Sequence, residues 1–245
     1  MLVPAVLAGV FVDGHSIPPR VTGWHSTTVS ASVHFIFSLT IGSMLSPLLV
    51  LLLVLAAYAL GMFPTALLVA ARDGKDPTKE GSGNPGATNV ARTVGRRAGV
   101  LVLLGDVGKG VVATAIGLSL AGRTVGLICG LAAVGGHIFP VTRGFRGGKG
   151  VATALGFAAV AFPLQALVAA GAWLVVSVTT RRIALGSMAL STILPIMALV
   201  SGRPTWEAGL LAALAMMIIV RHAENISRMR SGNEQAFKVG RSPRL

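Results

Sequence analysis

Long apolar stretches alternate with short polar segments from about residue 46 to residue 220. A helix needs roughly 20 apolar residues to cross a bilayer, and several of these stretches reach that length. The pattern therefore predicts an all-α integral membrane protein. The clearest predicted helices cover residues 46–71, 98–120, 125–142, 183–200 and 205–220.

The stretch 150–180 is too long for one span and too short for two full spans. Proline lacks the backbone N–H that a helix interior requires, and Phe162-Pro163 lies near the middle of this stretch. We therefore predict a short or re-entrant fourth helix, a turn, and a fifth helix that ends at Arg181-Arg182. The predicted architecture is a bundle of seven transmembrane helices.

Composition and charge agree with a membrane protein. Hydrophobic residues make up 53% of the chain and charged residues only 12%, about half the share usual in soluble domains. Most of the basic residues behind the net charge of +13 lie in four segments, namely 72–97, 143–149, 181–182 and the tail from 221. Seven crossings place all four segments on one face and leave three basic residues on the other: Arg20, Arg123 and Arg203.

Basic loops are retained in the cytoplasm, so the charge pattern predicts that these segments and the C-terminus are cytoplasmic. The concentration of charge in loops beside the bilayer favours anionic lipid headgroups and anionic substrates as partners. It argues against nucleic acid as a partner.

Residues 1–43 contain no apolar run of spanning length, and they lack the basic start and continuous core of a secretory signal. Two interpretations stay open. The segment is either a disordered N-terminal extension or the result of a start codon assigned too early, since Met44 shortly precedes the first strong apolar run. The membrane domain is predicted to cover residues 44–245.

The first polar motif, GSGNPGATNVAR, occupies residues 81–92 between the first two predicted helices. Glycine permits positive φ and lets backbone N–H groups approach an anion closely, and Arg92 can bind a phosphate with two parallel hydrogen bonds. The candidate binding residues are Ser82, Gly83, Asn84, Gly86, Thr88, Asn89 and Arg92. An ordinary polar turn accounts for the composition equally well.

The second motif joins GGHIFP, at residues 135–140, with RGGKGVAT, at residues 146–153. Gly147 and Gly148 precede Lys149, and an apolar helix is predicted directly afterwards. Backbone donors and the positive end of the helix dipole then point to the same place as the Lys149 ammonium, which is typical of a phosphate site. As the alternative, Lys149 is an ordinary membrane anchor, which leaves the flanking glycines unexplained. His137 is a further candidate ligand.

The third motif, RHAENISR, occupies residues 221–228 at the end of the last predicted helix. His222 and Asn225 are three residues apart and are predicted to share one helical face, with Arg221 and Arg228 beside them. A lone histidine at a helix C-terminus is more often a capping partner than a catalyst.

Asp106 and Lys109 are three residues apart within the second predicted helix. Charge at that depth is costly unless it is paired or faces a polar cavity. An ion pair that shapes the wall of a site is at least as good an interpretation as a contact with a ligand.

The three motifs fall on the same predicted face and offer groups that bind anions. No set of His, Asp and Glu has the spacing of a zinc or magnesium site, and no Ser-His-Asp set is evident. No metal or cofactor is therefore predicted. The residues alone indicate a membrane protein that handles phosphates.

These motifs closely resemble those of the bacterial acyl-phosphate:glycerol-3-phosphate acyltransferase family. The resemblance covers residues 46–240 and includes the Asp106-x-x-Lys109 element and Ser187. It implies a multi-pass enzyme of the bacterial inner membrane that transfers a fatty acyl group from acyl-phosphate to glycerol 3-phosphate. The implied products are 1-acyl-glycerol 3-phosphate (lysophosphatidic acid) and phosphate, in the first step of phospholipid synthesis.

By matching position, the resemblance implies catalytic roles for Ser82, Arg92, Lys149, His222 and Asn225. The implied substrate-binding residues are Gly83, Asn84, Gly86, Thr88, Asn89, His137, Gly147, Gly148 and Ser187. The resemblance also implies that no metal or coenzyme A thioester takes part and that the substrate's own phosphate accepts the proton. The chain departs from the family at Met62-Phe63, where the family usually has Ser-Ile.

Two other functions remain open on the sequence. A membrane transporter of an anionic or phosphorylated solute would also surround an anion site with basic loops and broken helices. The matched polar groups lie at one face instead of at mid-membrane depth in two similar halves, which favours the enzyme. A lipid-binding scaffold is the third interpretation, and it leaves the spacings within the motifs unexplained.

Overall fold

The computed structural model describes residues 47–234 and residue 236, so the interpretation of residues 1–43 and the basic end of the tail lie outside the described residues. Within that part of the chain the protein is helical, without strands, as the apolar pattern predicts. The helices are α1 (47–62), α2 (Thr65–Ala71), α3 (Ala87–Thr93), α4 (Arg96–Ile138), α5 (Val151–Ala161), α6 (Pro163–Thr180), α7 (Ile183–Val200), α8 (Thr205–Val220) and α9 (Ala223–Arg230).

Four helical segments in the described part of the chain are long and apolar enough to cross a membrane. They are Pro47–Ala71, Arg96–Arg143, Pro163–Thr180 and Ile183–Val200. A fifth is added if α8 and α9, which meet at an angle of 50°, form one bent span. Large apolar side chains such as Leu104, Leu167 and Met216 are exposed on the helices, as expected of a surface that faces lipid.

Helix α4 consists of two arms. Ala121 and Gly122 have non-helical dihedral angles, and the arms run antiparallel, because Asp106 Oδ1 on the first lies 3.6 Å from His137 Nδ1 on the second. The two helices predicted over 98–120 and 125–142 are therefore separate arms. The second arm ends at Ile138, earlier than predicted, because the residue before a proline disfavours helical geometry and Pro140 follows Phe139.

The predicted break at Phe162-Pro163 is confirmed, since α5 ends at Ala161 and α6 begins at Pro163. With 11 residues, α5 is about 16 Å long at 1.5 Å per residue, too short to cross a bilayer core of roughly 30 Å. It lies within the protein: Phe157 of α5 is 1% exposed and belongs to a buried cluster with Leu127 of α4 and Leu211 of α8.

Two predictions about the first third of the chain need correction. The predicted helix over 46–71 is interrupted at Phe63-Pro64, where proline cannot supply the N–H of a continuous helix. The predicted loop over 72–97 contains a helix, α3, which begins after Gly86 and carries the second half of the first motif. Helices α2 and α3 are too short for the spacing of their apolar residues to indicate a helix.

The bundle has two distinct ends. At the first, Arg123 donates two hydrogen bonds to Glu207, from Nε to Oε1 at 2.6 Å and from the second terminal nitrogen to Oε2 at 2.8 Å. The guanidinium groups of Arg123 and Arg203 lie 5.2 and 5.8 Å from the centre of the Phe162 ring. These contacts gather the turn within α4, the α5–α6 turn and the α7–α8 turn at this end. We call the other end, which carries residues 72–95, 139–150, 181–182 and 221–234, the loop end.

Glycines allow α4 and α5 to touch backbone to backbone. A Cβ atom at Gly110 would overlap the Thr153 carbonyl oxygen and lie 2.6 Å from the Phe157 nitrogen. A Cβ atom at Gly108, two residues earlier on the same arm, would meet nothing within 4 Å. The two glycines are therefore a matched pair for testing this contact.

We expect Gly110→Ala to lower the apparent unfolding temperature in detergent by several degrees, because overpacking a close contact costs about 1–3 kcal/mol. Gly108→Ala should leave that temperature unchanged or raise it, since alanine favours a helix by about 1 kcal/mol over glycine. Thermal unfolding followed by tryptophan fluorescence measures both. Equal unfolding temperatures for the two variants would contradict the close α4–α5 contact.

Candidate active site

A cavity of about 200 Å³ lies at the loop end and is lined by residues from all three motifs. The predicted site residues that line it are Ser82, Asn84, Gly86, Thr88, Asn89, Arg92, His137, Lys149, Ser187, His222 and Asn225. Three others, Gly83, Gly147 and Gly148, are not among its lining residues. The structure thus brings together side chains from distant parts of the chain.

The first motif is held in shape by Asn89, which is 2% exposed. Its side-chain oxygen accepts a hydrogen bond from the Ser82 backbone N–H at 2.9 Å. Its side-chain nitrogen donates to the carbonyl oxygens of Pro77 at 2.8 Å and Glu80 at 3.0 Å. Asn89 therefore fixes the loop that precedes α3, and this fixes Ser82 at the cavity. Gly83, with φ of 69°, supplies a left-handed backbone position in the same loop.

The second motif is anchored to the end of α4 by its two glycines. The Gly147 N–H donates to the Ile138 carbonyl oxygen and the Gly148 N–H to the His137 carbonyl oxygen, both at 3.1 Å. A Cβ atom at Gly148 would overlap the His137 ring, so only glycine allows this approach. The next residue, Lys149, lines the cavity.

Arg221 holds the same loop from the other side. Its guanidinium donates to the Gly147 carbonyl oxygen at 3.1 Å and lies 6.0 Å from the centre of the Phe139 ring. The third motif therefore supports the second, a contact that the sequence alone does not reveal.

The third motif does not lie on one continuous helix, contrary to the prediction. Helix α8 ends at Val220 and α9 begins at Ala223, with His222 in a non-helical conformation between them. His222 donates from Nδ1 to the Ile218 carbonyl oxygen at 2.7 Å. One turn into α9, Asn225 accepts a hydrogen bond from the Lys149 ammonium. The bend, rather than a shared helical face, brings both residues to the cavity.

Three charged residues that line the cavity are not among the predicted catalytic and substrate-binding residues: Asp106, Arg228 and Glu234. Glu234 accepts hydrogen bonds from the Asn225 side-chain nitrogen at 2.7 Å and from Arg228 Nε at 2.9 Å, and its side chain is 6% exposed. Arg228 is the last residue of the third motif, but an acidic residue in a polar tail gives no periodic signal that would place Glu234 beside it.

The cavity is cationic at the loop end, where Arg92, Lys149 and Arg228 line it. Burial, with a smaller contribution from the Arg228 charge, lowers the pKa of Lys149 to about 8. Burial alone would raise the pKa of Glu234, but the hydrogen bonds from Arg228 and Asn225 outweigh it and hold the pKa below its usual value. Glu234 is therefore ionised and offsets part of the positive charge.

The remaining wall of the cavity is apolar and was not predicted. Leu103, Leu155, Trp173 and Leu190 line it, from four different helices. Leu190 is seven residues after the start of α7, which places it about 10 Å deeper in the bundle at 1.5 Å per residue. The cavity can therefore accommodate an anionic group at the loop end and a hydrocarbon group below it.

Comparison with known proteins assigns the family. A family model described as glycerol-3-phosphate acyltransferase matches residues 49–232. The glycerol-3-phosphate acyltransferase of Geobacter sulfurreducens is 43% identical over 191 residues, which cover 77% of this chain and 98% of that protein. This chain belongs to the glycerol-3-phosphate acyltransferase family. The corresponding protein of Aromatoleum aromaticum is 44% identical and is covered over 98% of its length.

Solved structures of this family have the same fold. The crystal structure of PlsY, an integral membrane glycerol 3-phosphate acyltransferase, in its glycerol 3-phosphate form superposes with a TM-score of 0.74 at 38% identity. The match covers 77% of this chain and 96% of that one. The lysophosphatidic acid form of PlsY gives a TM-score of 0.72. This acyltransferase is therefore a membrane enzyme, and it is all-helical over the residues that the structure describes.

The lowered pKa of Lys149 can be measured by its reaction with an amine-directed reagent, followed by peptide mass spectrometry across a pH series. We expect the reaction rate to reach half its maximum near pH 8 in the folded enzyme, because only the deprotonated amine reacts. In protein unfolded with detergent the midpoint should rise toward 10.5, the ordinary value. The same midpoint in both states would contradict a buried Lys149.

Proposed function

We propose that the acyl donor of this enzyme is an acyl-phosphate and that the acyl group passes to glycerol 3-phosphate. The products are 1-acyl-glycerol 3-phosphate and inorganic phosphate, and the reaction is the first step of phospholipid synthesis. The observation that supports this most strongly is the lining of one cavity by cationic groups and by a deep apolar wall. A long-chain acyl-phosphate matches this lining, because its phosphate is an anion that suits the cationic groups and its hydrocarbon chain suits the apolar wall.

In the proposed reaction, a hydroxyl oxygen of glycerol 3-phosphate attacks the carbonyl carbon of acyl-phosphate. The bond from that carbon to the phosphate oxygen breaks, and the hydroxyl proton ends on the released phosphate, so that the balance needs no further reactant. An acyl-phosphate is already activated, so holding the reactants together and neutralising their charge can supply most of the rate enhancement.

The residues at the cavity have different roles, which follow from the chemistry of their side chains. Arg92 and Lys149 hold the phosphate of acyl-phosphate, which is the leaving group, through charge-assisted hydrogen bonds. Asn225 orients the Lys149 ammonium by accepting its hydrogen bond. Further donors to the two phosphates, from side chains or backbone, are Ser82, Asn84, Thr88, His137, Ser187 and His222. The remaining predicted residues shape the loops around these donors, because their own N–H groups donate to carbonyl oxygens of the protein; they are Gly83, Gly86, Asn89, Gly147 and Gly148.

The proposed topology has seven crossings, in which the two arms of α4 count separately and the short α5 is enclosed by other helices. The loop end carries most of the basic residues, and basic loops remain on the cytoplasmic side. We infer that the cavity opens toward the cytoplasm from the bacterial inner membrane and that anionic lipids surround this end.

The purified enzyme should release inorganic phosphate from palmitoyl-phosphate only when glycerol 3-phosphate is present. Phosphate release measured colorimetrically, together with mass spectrometry of the lipid product, tests both substrates. Palmitoyl-coenzyme A in place of palmitoyl-phosphate is the control and should give no product. Equal activity with palmitoyl-coenzyme A would refute the proposed donor, and a folded protein without either activity would favour the transporter.

Lys149→Ala and Arg92→Ala should each reduce activity by more than roughly tenfold, since a hydrogen bond to a charged group contributes about 1.5–3 kcal/mol. Matched controls are Arg146→Ala, in the same loop as Lys149, and Arg97→Ala, near Arg92. Both control residues are exposed and lie outside the cavity lining, so their variants should keep nearly full activity. If a test variant matches its control, that residue does not hold the leaving phosphate.

A further inference from the structure

Asp106 places a carboxylate in the wall of the cavity, on the first arm of α4, where it is 2% exposed. Its Oδ1 atom accepts a hydrogen bond from the Lys109 ammonium at 2.7 Å and lies 3.6 Å from His137 Nδ1 on the second arm. The Arg143 guanidinium, in the loop after α4, also interacts electrostatically with this carboxylate. Basic groups from three segments therefore converge on one carboxylate.

Neutralisation of Lys109 does not account for this arrangement. Lys109 is on the same arm as Asp106, one helical turn away, so that pair needs no group from the second arm. The additional contact reaches His137, which is 7% exposed and also lines the cavity. The carboxylate thus lies close to a side chain at the end of the other arm, within the second motif.

His137 in turn supports the segment that carries Lys149. Its carbonyl oxygen accepts the Gly148 N–H at 3.1 Å. Its ring packs so closely on Gly148 that a Cβ atom there would overlap Nε2. Lys149 is the next residue along the chain. A rotation of the His137 ring would therefore disturb the backbone from which the Lys149 ammonium reaches Asn225.

We propose that Asp106 is a positioning residue, which holds the His137 ring against Gly148 and thereby keeps Lys149 at the cavity. The inference rests on the proposed function insofar as Lys149 binds the leaving phosphate of acyl-phosphate. In the competing explanation, Asp106 only neutralises the buried Lys109.

A double variant that removes both charges distinguishes the two explanations. Asp106→Asn alone leaves a buried ammonium without its carboxylate and is expected to fold poorly. The double variant Asp106→Asn/Lys109→Met removes both charges at similar side-chain volume, so that the fold is retained. His137 still lacks its carboxylate in the double variant. Thermal unfolding in detergent verifies that the protein remains folded.

We expect the double variant to unfold near the wild-type temperature but to lose about tenfold in kcat, as for removal of one member of a coupled network. Wild-type kcat in the double variant would overturn the inference, since Asp106 would then serve only Lys109.

The titration of Lys149 by amine labelling gives a readout that does not depend on catalysis. In the double variant the midpoint should rise from about 8 toward the ordinary lysine value, because a released loop returns the ammonium to water. An unchanged midpoint would overturn the inference even if kcat falls. If the wild-type enzyme releases no phosphate from palmitoyl-phosphate, the proposed function fails, whereas the Lys149 midpoint still tests Asp106.

Discussion

The hydrogen bond from the Lys149 ammonium to the Asn225 side-chain oxygen joins two residues that are 76 positions apart in the chain. Lys149 is mostly buried, so its charge needs partners that are themselves fixed. Asn225 is fixed by its hydrogen bond to Glu234, and Glu234 by its hydrogen bond from Arg228. This chain of contacts holds a cation at the cavity while leaving part of its hydrogen-bonding capacity for an anion. The second and third motifs are therefore parts of one site and cannot be considered separately.

That site depends on helices that pack closely around it. A Cβ atom at Gly156 of α5 would overlap the Val107 carbonyl oxygen of α4, and one at Gly136 of α4 would overlap the Tyr58 carbonyl oxygen of α1. Small residues at such contacts let van der Waals attraction act between backbones, which matters where the hydrophobic effect does not drive association of helices in lipid. The close contacts hold α5 against α4, and the first residues of α5, Val151 and Ala152, line the cavity.

The sequence predicts the structure best where a feature depends on neighbouring residues, such as a helix break at proline. It predicts least where a feature depends on contacts between distant segments of the chain. Apolar run length and Pro163 predicted the long apolar helices and the break before α6, and the glycine, asparagine and basic motifs predicted most polar residues at the cavity. The interruption at Phe63-Pro64 was missed because apolar composition continues across it. Glu234 and Trp173 were missed for a different reason: each reaches the cavity only through the folding of distant segments, and neither has a distinctive local pattern.

The position of the second motif relative to the other two motifs depends on the short length of α5. The chain leaves the loop end at Gly150, reaches the Arg123–Glu207 end near Phe162 and returns along α6 to Arg181. An uninterrupted helix over 150–180 would instead finish at the opposite end, and α7 and α8 would then carry Ser187 and His222 away from Lys149. An 11-residue helix can make this passage because its environment is protein, where neighbouring helices replace the lipid that a longer span would have to match in thickness. The same enclosure brings the positive end of the α5 dipole to the cavity beside Lys149, where both favour an anion.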